Sequence, residues 1–160
     1  MHEADKQARR NAFLYCKFRD EQFALYDAFA KSCGMTMNTL LVVNALFYAS
    51  DGLTQREICR TVHHSKQTVS LIVKKLVAEG RVELTASKVD GRAKVVRLTE
   101  EGRAWAEYPV RHITLSEDHA MAMLSDEEQE VLVALSRRFT ENLKALVQDE
   151  SERNPEPTTL

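Results

Sequence analysis

The fold is decided by residues 53–98, which read LTQREICRTVHHSKQTVSLIVKKLVAEGRVELTASKVDGRAKVVRL. Near its start, Thr54 is followed three positions later by Glu57, and this pair forms a capping box at the start of a helix. Ser65 is the N-cap signal of a second helix, and Gly80 is the residue expected just past its end. The pattern therefore predicts two short helices joined by a tight turn.

A β-hairpin is predicted directly after these helices. Apolar and polar side chains alternate over 81–86 and again over 95–98, and a turn signal lies between them at Asp90-Gly91. A helix-turn-helix followed by a hairpin is the pattern of a winged helix. The second helix of such a pair can enter the major groove of DNA, while cations on the hairpin reach phosphates or the minor groove.

The distribution of charge supports a polyanionic partner. Residues 55–98 carry ten Lys and Arg against four Asp and Glu, whereas the rest of the chain carries twelve against twenty. The net charge of −2 therefore hides a basic segment on an acidic chain. Lysine and arginine in this segment are suited to contact with DNA phosphates.

Further helices are predicted on both sides of this segment. They span about 4–33 and 38–50 before it, and after it one starts at Thr99 and one at the capping box of Ser125 and Glu128. The first and last helices carry apolar stripes with no sheet to pack on, so we expect a second copy of the chain to cover them. The predicted fold class is mainly α with a small β-hairpin wing, a winged helix-turn-helix plus N- and C-terminal dimerisation helices.

This fold class implies a division of the chain into three regions. The expected regions are a helical dimerisation region over 1–38 and 100–150, a winged helix-turn-helix DNA-binding region over 39–99, and a disordered tail over 151–160.

Composition excludes several other classes of protein. Hydrophobic residues make up 44% and charged residues 29%, which is typical of a globular chain. No apolar run reaches the roughly 18 residues of a membrane span, and the charged N-terminus predicts no signal peptide and a cytoplasmic location. Three cysteines are too few for a disulfide framework. Without a Gly-rich phosphate loop or a nucleophile elbow, the chain is predicted not to be an enzyme, with no catalytic residue, no cofactor and no metal.

Several short motifs resemble the MarR family of bacterial transcription regulators, over about residues 36–106. They are LTQREI at 53–58, SKQTVS at 65–70, LVAEGRV at 76–82, DGR at 90–92 and RLTEEG at 97–102. The resemblance implies a homodimer that binds a palindromic operator in double-stranded DNA, acts as a repressor, and responds to a small phenolic or drug-like inducer.

The resemblance also assigns roles on the wing. By matched position, Arg92 resembles the arginine that enters the minor groove, and Asp90 resembles the acid that holds this arginine by a salt bridge. The sequence departs from the family pattern at Ser87 and Gly91, where many relatives carry Asp and Arg, so the tip has one cation fewer. The residues predicted to contact DNA are Lys66, Gln67, Thr68, Ser70 and Lys74 on the second helix of the pair, and Lys88, Asp90, Arg92 and Lys94 on the wing.

A small-molecule site is predicted from aromatic and histidine residues. Trp105, Tyr108 and His112 recur at steps of three and four on the fifth helix, and Tyr48 ends the second helix. Such side chains suit an aromatic ligand that forms hydrogen bonds. Ordinary packing at a helix junction explains the same pattern equally well.

Three alternatives stay open within and beyond this fold. Cys16 lies in the first helix, where some relatives sense hydroperoxides through a cysteine. Other relatives bind zinc near the dimer cleft, and the side chains that could do so here are His112, Glu117, Asp118 and His119. A winged helix can also bind a protein instead of DNA, but the lysines of the second helix and the wing argue against that function.

Overall fold

The computed structural model of the protein describes residues 3–86 and 94–153. Within these ranges it contains six helices and three strands, which confirms the predicted mainly helical fold with a wing. The elements are α1 (Glu3–Ser32), α2 (Met37–Tyr48), β1 (Leu53–Thr54), α3 (Gln55–Val62), α4 (Lys66–Ala78), β2 (Val82–Ala86), β3 (Lys94–Leu98), α5 (Glu100–Ala122) and α6 (Asp126–Arg153).

Local capping fixes the start of both short helices. At α3, the backbone N–H of Thr54 donates to Glu57 Oε2 at 2.7 Å, and the N–H of Glu57 donates to Thr54 Oγ1 at 3.3 Å. At α4, the N–H of Thr68 donates to Ser65 Oγ at 3.1 Å. These bonds satisfy backbone donors that the first turn of a helix leaves without partners. The predicted capping box and N-cap are therefore confirmed.

The wing is a three-stranded antiparallel sheet with the order β1-β3-β2. β2 pairs with β3 from Val82 opposite Leu98 to Ala86 opposite Lys94, as the alternation predicts. β1 was not predicted, and it adds Leu53 opposite Val96. This third strand ties the start of α3 to the base of the wing, because Thr54 both ends β1 and caps α3.

One compact unit comprises Met1–Ile113, and its core joins the helix-turn-helix to the wing. The core is formed by buried side chains from α2, α3, α4, the sheet and α5. These are Val42, Val43, Leu46, Phe47, Ile58, Val69, Val73, Leu76, Val82, Val96, Ala106 and Val110. α3 and α4 thus lie on a shared apolar base, which fixes the direction of their exposed faces.

The junction between the wing and α5 depends on a glycine. The Thr99 N–H donates to the carbonyl oxygen of Arg81 at 3.1 Å, the Thr99 hydroxyl donates to the Gly80 carbonyl at 2.8 Å, and Gly102 N–H donates to that hydroxyl at 2.9 Å. A Cβ at position 102 would overlap the Arg81 carbonyl group, 2.7 Å from its carbon. The close approach explains why the Leu-Thr-x-x-Gly motif ends in glycine.

The second compact unit is Thr114–Leu160. Its α6 begins at the predicted capping box, in which Ser125 N–H donates to Glu128 Oε2 at 2.8 Å and Glu128 N–H donates to Ser125 Oγ at 3.3 Å. α6 continues to Arg153, and the rest of the predicted tail, 154–160, lies outside the described residues. Among the described helices, none is both long and apolar enough to cross a membrane.

Candidate nucleic-acid interface

The helix α4 is held on the core by one face. Val69, Val73 and Leu76 each expose at most 1% of their surface, and they follow one another at steps of four and three residues. A helix fixed by such a stripe turns the opposite face to solvent, because 3.6 residues make one turn. The Ser65 cap also fixes where this exposed face begins.

The predicted DNA-contacting residues of α4 fall into two groups. Lys66, Gln67 and Lys74 are exposed, and Ser70 is half-buried beside them. Thr68 is half-buried, and its Oγ1 lies 2.9 Å from the hydroxyl of the N-cap serine. The structure therefore brings four of the predicted side chains to the open face of α4 or its edge, while the Thr68 hydroxyl takes part in the cap.

Two residues of the same exposed face were missed. Leu71 is 62% exposed, and Ala78 is also exposed. Together with Gln67 and Lys74 they recur at steps of four, three and four residues, which places them on one ridge of α4. The helical period identifies both residues, whereas a face assigned by polarity alone leaves out apolar side chains.

Two arginines on α3 were also missed. Arg56 and Arg60 are exposed and lie one turn apart on the helix that precedes α4. Both arginines were counted in the positive charge of residues 55–98, but no role in DNA contact was predicted for them. In a helix-turn-helix the first helix crosses the DNA backbone, where exposed arginines can contact phosphates.

Hydrogen bonds at the start of α3 keep the carboxylate of Glu57 charged. The backbone N–H of Thr54, and then the Thr54 hydroxyl, donate to the Glu57 carboxylate, at 2.7 and 2.8 Å, and these bonds lower the pKa of Glu57. The carboxylate accepts hydrogen bonds in the cap and lies at the N-terminal end of the helix, where the helix dipole favours negative charge. It therefore acts as a structural group of the turn.

The wing is described in part. Lys94 is exposed at the first position of β3, opposite Ala86. The other predicted wing contacts, Lys88, Asp90 and Arg92, lie outside the described residues.

Two of the residues predicted to bind a small ligand, Tyr108 and His112, lie in one aromatic cluster with Phe29, and Tyr48 lies in a second cluster. His112 stacks on Phe29 at 5.0 Å and on Tyr108 at 5.5 Å between ring centroids. Trp105 is half-buried, and the Arg81 guanidinium lies 5.2 Å from its ring centroid.

Tyr48 belongs to the second cluster. Its ring meets Phe47 edge-on at 5.5 Å, and the guanidinium of Arg103 lies 4.4 Å from the Phe47 ring centroid. Arg103 also donates to the Phe47 carbonyl oxygen at 3.1 Å, which caps the end of α2. The structure thus brings Tyr108 and His112 together, while Tyr48 meets Phe47 and Trp105 meets Arg81.

The two alternative sensors predicted from the sequence are a cysteine on α1 and a zinc site. Cys16 is half-buried on α1. Within 3–86 and 94–153, no group of three or more His, Cys, Asp and Glu side chains is arranged to hold a metal ion.

The unit Thr114–Leu160 contains an open cavity of about 380 Å³. It is lined by Met121, Gln129, Glu130, Val133, Ala134 and Arg137. None of these residues was predicted to bind a ligand.

Comparisons with known proteins point to transcription regulators. A sequence model described as "MarR family" matches residues 34–93. The chain is 25% identical over 113 residues to the uncharacterized HTH-type transcriptional regulator YdgJ of Bacillus subtilis, covering 71% of this chain and 69% of that protein.

Solved structures show the same fold. The MepR–DNA complex of S. aureus superposes with a TM-score of 0.69 at 22% identity, covering 83% of this chain and 97% of that one. The PcaV transcriptional regulator of Streptomyces coelicolor, solved with its natural ligand, superposes with a TM-score of 0.63 at 26% identity, covering 80% and 89%.

Proposed function

Because the chain belongs to the MarR family of winged helix-turn-helix transcriptional regulators, which bind DNA and are not enzymes, we propose that it is a homodimeric repressor of a palindromic operator. We further propose that a small aromatic ligand releases it from DNA. Its site of action in this proposal is the cytoplasm, where it meets double-stranded DNA.

The observation that carries the proposal is the exposed face of α4. Lys66, Gln67 and Lys74 are all open to solvent on a helix that the core holds by its opposite face. Glutamine can pair with adenine through two hydrogen bonds, and lysine donates to guanine or to phosphate. α4 is thus equipped to read the major groove, with Ser70 at the edge of the contact.

The wing supplies the second contact in this proposal. Lys88, Arg92 and Lys94 would act on phosphates and the minor groove, with Asp90 holding Arg92 in place. The described support is Lys94, an exposed cation at the start of β3. The exposed Arg56 and Arg60 of α3 would add phosphate contacts that position the domain.

Dimerisation explains large apolar side chains that each unit leaves exposed. In α1, Phe13 is 69% exposed and Leu25 is 72% exposed. In α6, Leu135 is 53% exposed and Leu146 is 68% exposed. We assign 1–38 and 100–150 to the dimer and 39–99 to DNA. A two-fold dimer would then present two copies of α4 about one turn of DNA, roughly 34 Å, apart.

The ligand part of the proposal names Tyr48, Trp105, Tyr108 and His112. Its support is the stack of His112 and Tyr108, both exposed, which offers aromatic faces and a polar ring atom to a small molecule. Titration of the operator complex with a panel of phenolic and drug-like compounds tests it. Unchanged operator affinity across the panel would count against a ligand site.

The experiment that tests the DNA-binding part is a salt series on single variants. Each phosphate contact contributes about 0.9 to the slope of log K against log salt. We expect Arg92→Ala, and separately Lys74→Ala, to weaken operator binding and to lower the slope by about one unit for each half-site that loses a contact. Lys31→Ala is the matched control, because Lys31 pairs with Asp27 on α1 and lies outside 39–99. An unchanged slope in a variant would remove that residue from the phosphate or minor-groove contacts.

A further inference from the structure

Leu71 is an apolar side chain at the centre of a polar helix face. It is 62% exposed, although α4 buries Val69 and Val73 on either side of it in the sequence. The core therefore gains little from Leu71. Single exposed leucines are common on protein surfaces. An exposed leucine therefore indicates a function only if its position places it in a functional surface.

The position of Leu71 is between the residues that would read DNA. Gln67 is one turn before it, and Lys74 is one turn after it, both exposed. At about 100° per residue, the three directions fall within roughly 60° of each other around the helix axis. A helix that presents Gln67 and Lys74 to the floor of a groove must present Leu71 there too.

DNA offers one chemical partner for an aliphatic side chain at that place. In the major groove the base edges carry hydrogen-bonding groups, and thymine alone adds an apolar group, its C5-methyl. Contact between a leucine and this methyl removes apolar surface of both from water. A polar base edge beneath Leu71 would instead lose its hydrogen bonds to water without replacement.

We propose that Leu71 is a specificity-determining residue that selects thymine in each half-site through its C5-methyl group. This inference rests on the proposed binding of α4 in the major groove. Leu71 lies about 6 Å along the helix axis from Gln67, which is close to two base steps of roughly 3.4 Å. The selected thymine is therefore expected within about two base pairs of the base that Gln67 contacts.

The test starts from a binding site selected by the wild-type protein from a random duplex library. Each thymine of the selected site is then replaced by deoxyuridine, in both half-sites, which removes only the methyl group. We expect one symmetric pair of replacements to weaken wild-type binding about fourfold per half-site, the effect of one buried methyl. Leu71→Ala should bind that site more weakly and lose this sensitivity to uracil.

Val77→Ala is the matched control. Val77 is also an exposed aliphatic residue of α4, at 39%, but lies in the last turn, whereas the N-terminal part of a recognition helix contacts bases. Val77→Ala should keep the full penalty for uracil. Circular dichroism and sedimentation of each variant establish that the fold and the dimer are retained. The deoxyuridine series on the wild-type protein tests the methyl contact without any substitution in the protein.

Three kinds of result overturn the inference, and they differ in what else they overturn. Specific binding in which no thymine methyl matters, or in which Leu71→Ala keeps the uracil penalty, refutes the role of Leu71 and leaves the DNA-binding function intact. A selection that yields no preferred sequence refutes the inference together with the proposed function. Loss of dimer in Leu71→Ala would assign the side chain to a protein contact instead.

Discussion

Replacement of Gly102 by alanine tests the packing that links the wing to α5. Gly102 is the third residue of α5, a position where helix propensity alone favours alanine over glycine by about 1 kcal/mol. The structure predicts the opposite sign. The new Cβ would overlap the carbonyl group of Arg81, 2.7 Å from its carbon, where ordinary contacts lie at 3.4 Å or more. The start of α5 and the residues that lead from α4 into β2, Gly80 and Arg81, would therefore have to separate.

The size of the loss follows from the bonds at this junction. Separation weakens the two hydrogen bonds from Thr99 to the Arg81 and Gly80 carbonyls, now 3.1 and 2.8 Å long. Each such bond contributes about 1 kcal/mol, and overpacking a tight site costs about 1–3 kcal/mol. After the gain of about 1 kcal/mol in propensity, we expect Gly102→Ala to lower the free energy of unfolding by about 2–4 kcal/mol.

Urea denaturation followed by circular dichroism measures this change. Wild type and variant must be compared at one protein concentration, because the proposed association of subunits would contribute to stability. Gly34→Ala is the control, since Gly34 has φ +73° and no atom within 4 Å of a new Cβ, so it reports conformational strain without overlap. A Gly102→Ala variant as stable as the wild type, or more stable, would refute the reasoning.

Three further predictions concern the helix-turn-helix. Thr54→Ala removes one half of the capping box and should cost about 1 kcal/mol by urea denaturation, whereas the exposed Thr61 of α3 should tolerate alanine with little loss. Because the pKa of Glu57 is lowered in the folded protein, its charge stabilises the fold above the ordinary pKa of 4.5, and this contribution is lost as the pH falls through the lower folded pKa. The difference in stability between wild type and Glu57→Gln should therefore shrink as the pH is lowered from about 6 to about 3, and a difference independent of pH would contradict the assignment. His63 is left-handed at φ 53°, so His63→Gly should raise the thermal midpoint by relieving up to about 1 kcal/mol of strain, and a lower midpoint would show that the imidazole makes a stabilising contact.

Local signals explain which elements the sequence predicts well. The capping box of Thr54 and Glu57 and the N-cap Ser65 act over three residues, so their bonds can be inferred without knowledge of the rest of the chain. The pairing of β2 with β3 is similarly local, because alternation sets both faces of a hairpin. β1 has two residues and no room for alternation, and it forms because Leu53 meets Val96 across the chain.

The interface shows where such reasoning stops. Lys66, Gln67 and Lys74 were predicted to contact DNA because charged and amide side chains on a helix suggest a polar partner. Leu71 was passed over, because whether a leucine is buried depends on the neighbours that α4 meets and not on its own type. The predicted ligand residues have the same difficulty, since the Tyr48 ring meets Phe47 edge-on and the partners of a ring are set by tertiary packing.

Binding to DNA from the intergenic region upstream of the protein's own coding sequence tests the central claim most directly. Fluorescence anisotropy over a salt series would compare this fragment with a scrambled duplex of the same composition. We predict tight binding that prefers the native fragment and falls steeply with salt, because cations of α3, α4 and the wing replace counterions on the phosphates. Weak binding that does not distinguish the two duplexes would contradict the assignment of this fragment as operator, and the same result with sites selected from a random library would contradict sequence-specific DNA binding itself.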